Sequence, residues 1–290
     1  MTQNAVLSLD FIKGQAEEEQ IIPTNFKQVK LTKKFLLPRV KDLHDDMLRL
    51  RRQYDQEFYL TDHPKKDVYP KGCCYEITKG VKTLLERELQ SPKTVGLVAL
   101  REFCLHGGIA KRVWGNLRHQ YFQNAFQFGD FYVDVSNDTV TITKPKVEIL
   151  PLGKARFFPI TDYDIYANLA EKYWNGKVYP NRILPELAVM FPVFFVSAEG
   201  ELQLHANYQT ILYRNMQFDF ALAEKFLIKG AFQDRILPDR YVDQLTKKFG
   251  VLEAALSNND IKRYFEVARQ SELRLDAVRC QLLLDQAQAI

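Results

Sequence analysis

The feature that most constrains this chain is the run Lys71-Gly72-Cys73-Cys74-Tyr75-Glu76-Ile77-Thr78, a glycine and two thiols directly ahead of a helix. Behind it Ile77, Val81, Leu84, Leu85 and Leu89 recur at three- and four-residue spacing, which marks one buried helical face. Cys74 lies one turn before Ile77 and Thr78 and opens that same face. A thiol there meets unpaired backbone N–H groups and the positive end of the helix dipole. Both favour the thiolate, which is the nucleophilic form. A buried structural cysteine is the alternative reading of the same position.

A chain of 290 residues has room for one large domain, or for a core domain with a smaller companion. Four cysteines in that length do not make a disulfide framework, and adjacent Cys73 and Cys74 would close a strained ring. A reducing compartment is therefore expected, at least during folding. No apolar run approaches the length of a membrane span. Met1–Gln20 lacks the basic flank and apolar stretch of a secretory signal, so the chain is expected in the cytoplasm, or exported without such a signal. The net charge of +4 is mild and does not by itself argue for a nucleic-acid or anionic membrane partner.

Met1–Pro23 is polar and reads as a loose arm, after which Lys27 to Lys34 turns basic. Pro38 opens a helix whose stripe is Val40, Leu43, Met47, Leu50 and Tyr54, with Arg49, Arg51 and Arg52 beside it as a solvated face. Asp62–Pro70 reads as a loop. A second short helix, about Val95–Leu105, stops at Gly107-Gly108. Strands then follow at about Ile109–Gly115, His119–Gln127 and Phe131–Val135, with a further hairpin from Thr139–Thr143 and Val147–Leu150. Beyond Pro151 the pattern predicts a helix capped by Asp162, a hairpin around Glu199-Gly200, and helices near Phe218–Lys229, Asp239–Phe249 and Asp260–Gln286. The whole is an α+β pattern with an antiparallel sheet on the thiol helix.

A thiol nucleophile needs a base, and the base needs a third group to hold it. Of five histidines, His119 opens a strand whose partner carries Asp134, fifteen residues on with a turn near the middle. That spacing places the two side by side across the hairpin. A structural role for the pair is the alternative. A rival set, Cys73, Cys74, Cys104 and His106, offers four zinc-ligand types at poor spacing.

The order of Cys, His and Asp on helix, strand and strand resembles the transglutaminase-like branch of the papain-like superfamily. In that family the nucleophile follows Gly-x-Cys, matched here by Gly72-Cys73-Cys74. The family's next strand motif is matched by Gly108-Ile109-Ala110-Lys111-Arg112-Val113-Trp114-Gly115, one residue shorter. Its Gly-aromatic turn and Val-Asp-Pro-Thr are matched by Gly129 to Ser136, with Val135 and Ser136 in place of Pro and Thr. The match covers about Tyr69–Val135. The resemblance implies a papain-like, transglutaminase-type core of helix plus antiparallel sheet at residues 55–152. Residues 1–54 would form an arm and basic helix, and 153–290 a mixed then mostly helical extension that serves as a lid or docking surface.

It also implies Cys74 as nucleophile, His119 as base and Asp134 as the orienting group, with Tyr69 and Trp114 as oxyanion or substrate contacts. The expected function is cysteine-dependent acyl transfer on protein or peptide amides, as transglutaminase, deamidase or peptidase, with no cofactor. By analogy, that suits a toxin or effector delivered to a host cell. The competing expectation is a non-catalytic binding or scaffold protein that retains the fold. Nucleic-acid binding through Lys27–Arg52 is not expected, because no aromatic platform is interleaved with the charges.

Overall fold

The computed structural model describes residues 9–205, 209–250 and 255–290, and they fold as helices with antiparallel sheets. The chain divides into two units, Glu18–Pro159 on the one hand, and the segment through Glu17 with Ile160–Ile290 on the other. The first helix, α1 (Leu9–Glu19), runs across that division, where sequence alone predicts a loose arm.

In Glu18–Pro159, α2 (Phe26–Leu31) continues through a π turn, Thr32–Leu36, and a 3-10 turn, Leu37–Arg39, into α3 (Val40–Tyr59). The thiol helix is α4 (Cys74–Leu89), followed by α5 (Val95–Leu105). Strands β1 (Ala110–Leu117), β2 (Tyr121–Phe128), β3 (Phe131–Asp134) and β4 (Glu148–Pro151) come next, then a short α6 (Leu152–Ala155) and β5 (Phe157–Phe158). They form one antiparallel sheet in the order β4-β3-β2-β1-β5.

Side chains alternate between the faces of a strand, and that alternation builds two cores. Phe126, Phe128, Phe131 and Val133 point to one face, where they meet Leu43, Met47 and Leu50 of α3, Ile77 and Val81 of α4, and Phe103 of α5. Ala125 and Tyr132 point to the other face and pack with Val113, Leu117 and Phe157. Each large apolar side chain removed from water contributes about 1.5–3 kcal/mol. The stripe of α4 therefore fixes that helix on the sheet far more firmly than any single polar contact at its start. The helix α3, expected ahead of the core, lies inside it.

Two expectations need correction here. Arg51 is not solvated: it is fully buried and donates to Asp55 (2.7 Å), to both oxygens of Asp138 (2.7 and 3.2 Å) and to the Val135 carbonyl (2.7 Å). Lys146 completes the cluster against Asp55 (2.9 Å) and Asp138 (3.3 Å). Secondly, Thr139–Thr143 and Val147–Leu150 do not pair with each other. Turns run from 137 to 143, and β4 adds to β3 instead, with Tyr132 opposite Leu150. The loop's polar groups explain this, because Asp138 is held under Arg51, Thr139 Oγ1 donates to the Ser136 carbonyl, and the Thr139 carbonyl accepts from Gly72 N–H.

The other unit holds α7 (Tyr163–Trp174), capped by Asp162 as expected, and a three-stranded sheet of β6 (Lys177–Pro180), β7 (Val193–Val196) and β8 (Leu202–Leu204). Helices α8 (Pro185–Ala188), α9 (Gln209–Gln217), α10 (Ala221–Lys229), α11 (Asp239–Phe249), α12 (Asn258–Gln270) and α13 (Ala277–Gln288) surround it in sequence. The single helix expected over Asp260–Gln286 is two, because Glu272 takes a left-handed conformation and Asp276 caps a new start.

Candidate functional site

Cys74 stands at the start of α4 because Gly72 adopts φ +69°, a left-handed conformation that glycine reaches without strain. Its sulfur is buried, and one turn on Thr78 Oγ1 donates to the Asn124 carbonyl on β2 (3.1 Å). The polar group against the sulfur is the Asn124 side chain, whose Nδ2 lies 3.7 Å from Sγ. That orientation is held from behind, since Arg112 on β1 donates to Asn124 Oδ1 (2.9 Å) and leaves the NH2 group facing the thiol. Arg112 is buried too, paired with Glu19 (3.0 Å) and lying over the Tyr75 ring. A continuous polar chain thus runs Glu19, Arg112, Asn124, Cys74.

The expected His119–Asp134 pair is not formed. The β2–β3 ladder aligns Phe126 with Val133, and His119 lies outside β2, in the turn between β1 and β2. Seven residues separate His119 from Phe126, roughly 20 Å of extended chain. Arg118 and His119 both have positive φ, and the His119 ring stacks on Phe158 of β5 (4.9 Å) while its Nδ1 meets Asn116 (3.0 Å). Asp134 follows Tyr132 by two residues on β3, and Ser136 Oγ lies between the Asp134 carboxylate (3.1 Å) and Thr78 Oγ1 of α4 (3.3 Å). That carboxylate accepts from Gln123 Nε2 (2.7 Å), Tyr132 Oη (2.8 Å) and Ser136 N–H (2.7 Å). Cys74, His119 and Asp134 are therefore not brought together, and among the described residues no histidine is bonded to Cys74.

The electrostatics follow the burial. Burial pushes the Cys74 thiol above its ordinary value, against donors from Asn124 that pull it down. That desolvation opposes the dipole effect expected from the helix start. Cys73 is pushed up to about 11, by burial first and then by Glu76. Burial also raises Asp134, although Ser136, Gln123 and Tyr132 donate to it.

Tyr69, expected near an oxyanion, instead donates to Asp55 and stacks on Phe58 (4.2 Å). Trp114 sits opposite Asn124 in the β1–β2 register, with its ring stacked on Phe122 (5.4 Å). Among the described residues no group of three His, Cys, Asp or Glu side chains converges as a metal set, so Cys73, Cys74, Cys104 and His106 are not gathered. His205, in the other unit, is enclosed by Tyr166, Trp174 and Phe195, and burial lowers its pKa to about 3. Sequence reasoning missed Arg112, Gln123, Asn124 and Ser136. The signal available was two adjacent amides, Gln123 and Asn124, inside an otherwise aromatic strand, each of which must find a partner when buried.

No protein-family model, curated protein or solved structure matches this chain.

Proposed function

We propose that Glu18–Pro159 is a non-catalytic binding or scaffolding module, which keeps a helix-on-sheet core resembling the transglutaminase-like branch of the papain-like superfamily. The observation that carries this reading is the Asn124 amide against Cys74 Sγ, held there by Arg112. Acyl transfer by a thiol needs a group that takes its proton and later returns it to the leaving amine. A carboxamide does neither at neutral pH. With the sulfur buried and its pKa raised, the thiol stays protonated and works as a packing group.

The second reading is the acyl-transfer enzyme, acting on protein or peptide amides through Cys74. One observation favours it: Cys74 opens α4 and its sulfur receives N–H donors from Asn124, which suit a negative charge. It needs a base to reach the sulfur.

Iodoacetamide labelling of the native protein across pH, read by peptide-resolved mass spectrometry, separates the two. Cys104, which is partly exposed, should label first. Cys74 should label at least about a hundredfold more slowly than in the denatured chain, because access requires opening of the core. His119→Ala should leave the Cys74 profile unchanged. Rapid Cys74 labelling below neutral pH, lost in His119→Ala, would overturn the binding-module reading in favour of the enzyme.

A further inference from the structure

The net charge of the protein hides its distribution. Between Gln20 and Lys41 the chain carries six cations (Lys27, Lys30, Lys33, Lys34, Arg39 and Lys41) and no acid, so the rest of the chain is net acidic. Structure turns that run into a surface. The segment from Phe26 to Leu36 buries Gln28, Thr32 and Leu36, four residues apart, and pins that side by hydrogen bonds. Gln28 donates to the Gly107 carbonyl (3.0 Å) and accepts from Ile109 N–H (2.9 Å), while Thr32 Oγ1 accepts from Asp130 N–H (3.0 Å). The residues left exposed on the other side include Phe26, Lys30, Lys33 and Leu37.

That face combines two kinds of group that rarely stay exposed together. Phe26 is 83% exposed and Leu37 51%. Leu105, 69% exposed at the end of α5, precedes His106, whose ring packs at a tilt against Phe35 of the same segment (4.6 Å). Among the described residues Lys27, Lys30, Lys33 and Lys34 make no salt bridge. Acids at the edges are already engaged, with Asp42 beside Arg39 and Glu102 beside His106. Apolar side chains that project among unpaired lysines match a bilayer surface, where the rings and leucines enter the acyl boundary and the ammonium groups meet anionic headgroups.

We propose that the face formed by Phe26, Lys30, Lys33 and Leu37, flanked by Lys27 and Lys34, docks this protein on an anionic lipid bilayer. Charge complementarity selects this occupant. A nucleic-acid strand would want successive aromatic platforms, whereas the projecting groups here are one ring and two leucines. The docking is peripheral, and among the described residues no helix is long and apolar enough to cross a membrane.

Sedimentation with vesicles tests it, using phosphatidylserine-containing vesicles against pure phosphatidylcholine. The protein should bind the former at low salt, release at high salt, and ignore the latter. The triple variant Lys30→Gln/Lys33→Gln/Lys34→Gln should lose affinity on the order of a hundredfold, given about fivefold per basic residue near such a surface. Phe26→Ala should lose about fivefold while keeping the salt dependence, which isolates the apolar contribution. Circular dichroism should show both variants folded, because every replaced side chain is exposed. No binding to anionic vesicles, or binding indifferent to these variants, overturns the proposal. Retention on single-stranded DNA without vesicle binding overturns it in favour of a nucleic-acid surface.

Discussion

Replacing Arg51 with methionine should destabilise the Glu18–Pro159 unit by about 3–5 kcal/mol, the usual cost of removing one partner from a buried ion pair. The guanidinium is fully buried, and it neutralises Asp138, which is itself almost fully buried, while tying α3 to the Val135 carbonyl. Methionine fills similar volume, so the loss is electrostatic rather than a cavity. Asp138 would keep Lys146 at 3.3 Å, too loose and too exposed a partner to compensate. Urea unfolding followed by circular dichroism measures the difference. A double variant, Arg51→Met with Asp138→Leu, should recover much of it, because no unpaired charge remains. A loss below about 1 kcal/mol for Arg51→Met would mean that water reaches the cluster. The same cluster sets an acid limit. Burial would raise the Asp55 pKa, but the Tyr69 hydroxyl, Arg51 and Lys146 together hold it below its ordinary value. The folded state therefore binds this proton less readily than the unfolded chain. Its contribution is fully present above the unfolded carboxylate range and is lost as pH falls through the lower folded value.

Gly96→Ala should cost about 1–3 kcal/mol, although alanine normally favours a helix over glycine by about 1 kcal/mol. Gly96 is where α5 meets α3. A Cβ there would lie 2.4 Å from an Asp46 carboxylate oxygen and 2.7 Å from the Asp42 carbonyl carbon and oxygen. The Asp42 backbone belongs to α3 and cannot swing aside, and Asp46 also accepts from Leu97 N–H (3.2 Å). The helices must separate, which loosens the packing of Leu43, Met47 and Leu100. Gly14→Ala on α1 is the control, since nothing lies within 4 Å of its added carbon. The same exchange should there be neutral or stabilising by up to about 1 kcal/mol. Thermal melting of both variants reads the sign. Equal effects would show that helix propensity rather than close approach governs Gly96.

The helices α3, α4 and α5 were legible because burial writes itself as a three- and four-residue rhythm. The start of α4 at Cys74 and the bounds of α5 follow from that rhythm and from the glycines beside it. What failed to show was everything set by partners far along the chain. Arg51 sits among arginines that do face water, and its acid partner Asp138 is 87 residues away. His119 has a strand-like neighbourhood, yet the chain turns there through two left-handed residues, Arg118 and His119, held by Asn116 Oδ1, which accepts from His119 N–H (2.9 Å). That turn moves the histidine off the strand. The carboxylate of Asp134 is taken up instead by Gln123, Tyr132 and Ser136. One misplaced turn removed the base from the expected triad, and the amide that faces the sulfur carries no motif at all.

The division of the chain has a consequence for how it is made. Glu18–Pro159 is continuous, so each of its five paired strands is available once Pro159 has left the ribosome. The other unit is not continuous, because the segment through Glu17 is synthesised first and its companions begin only at Ile160. Ile12 and Ala16 of that first segment are both buried in the finished protein. Vectorial synthesis thus assigns the two units an order, with the continuous five-stranded unit able to assemble first.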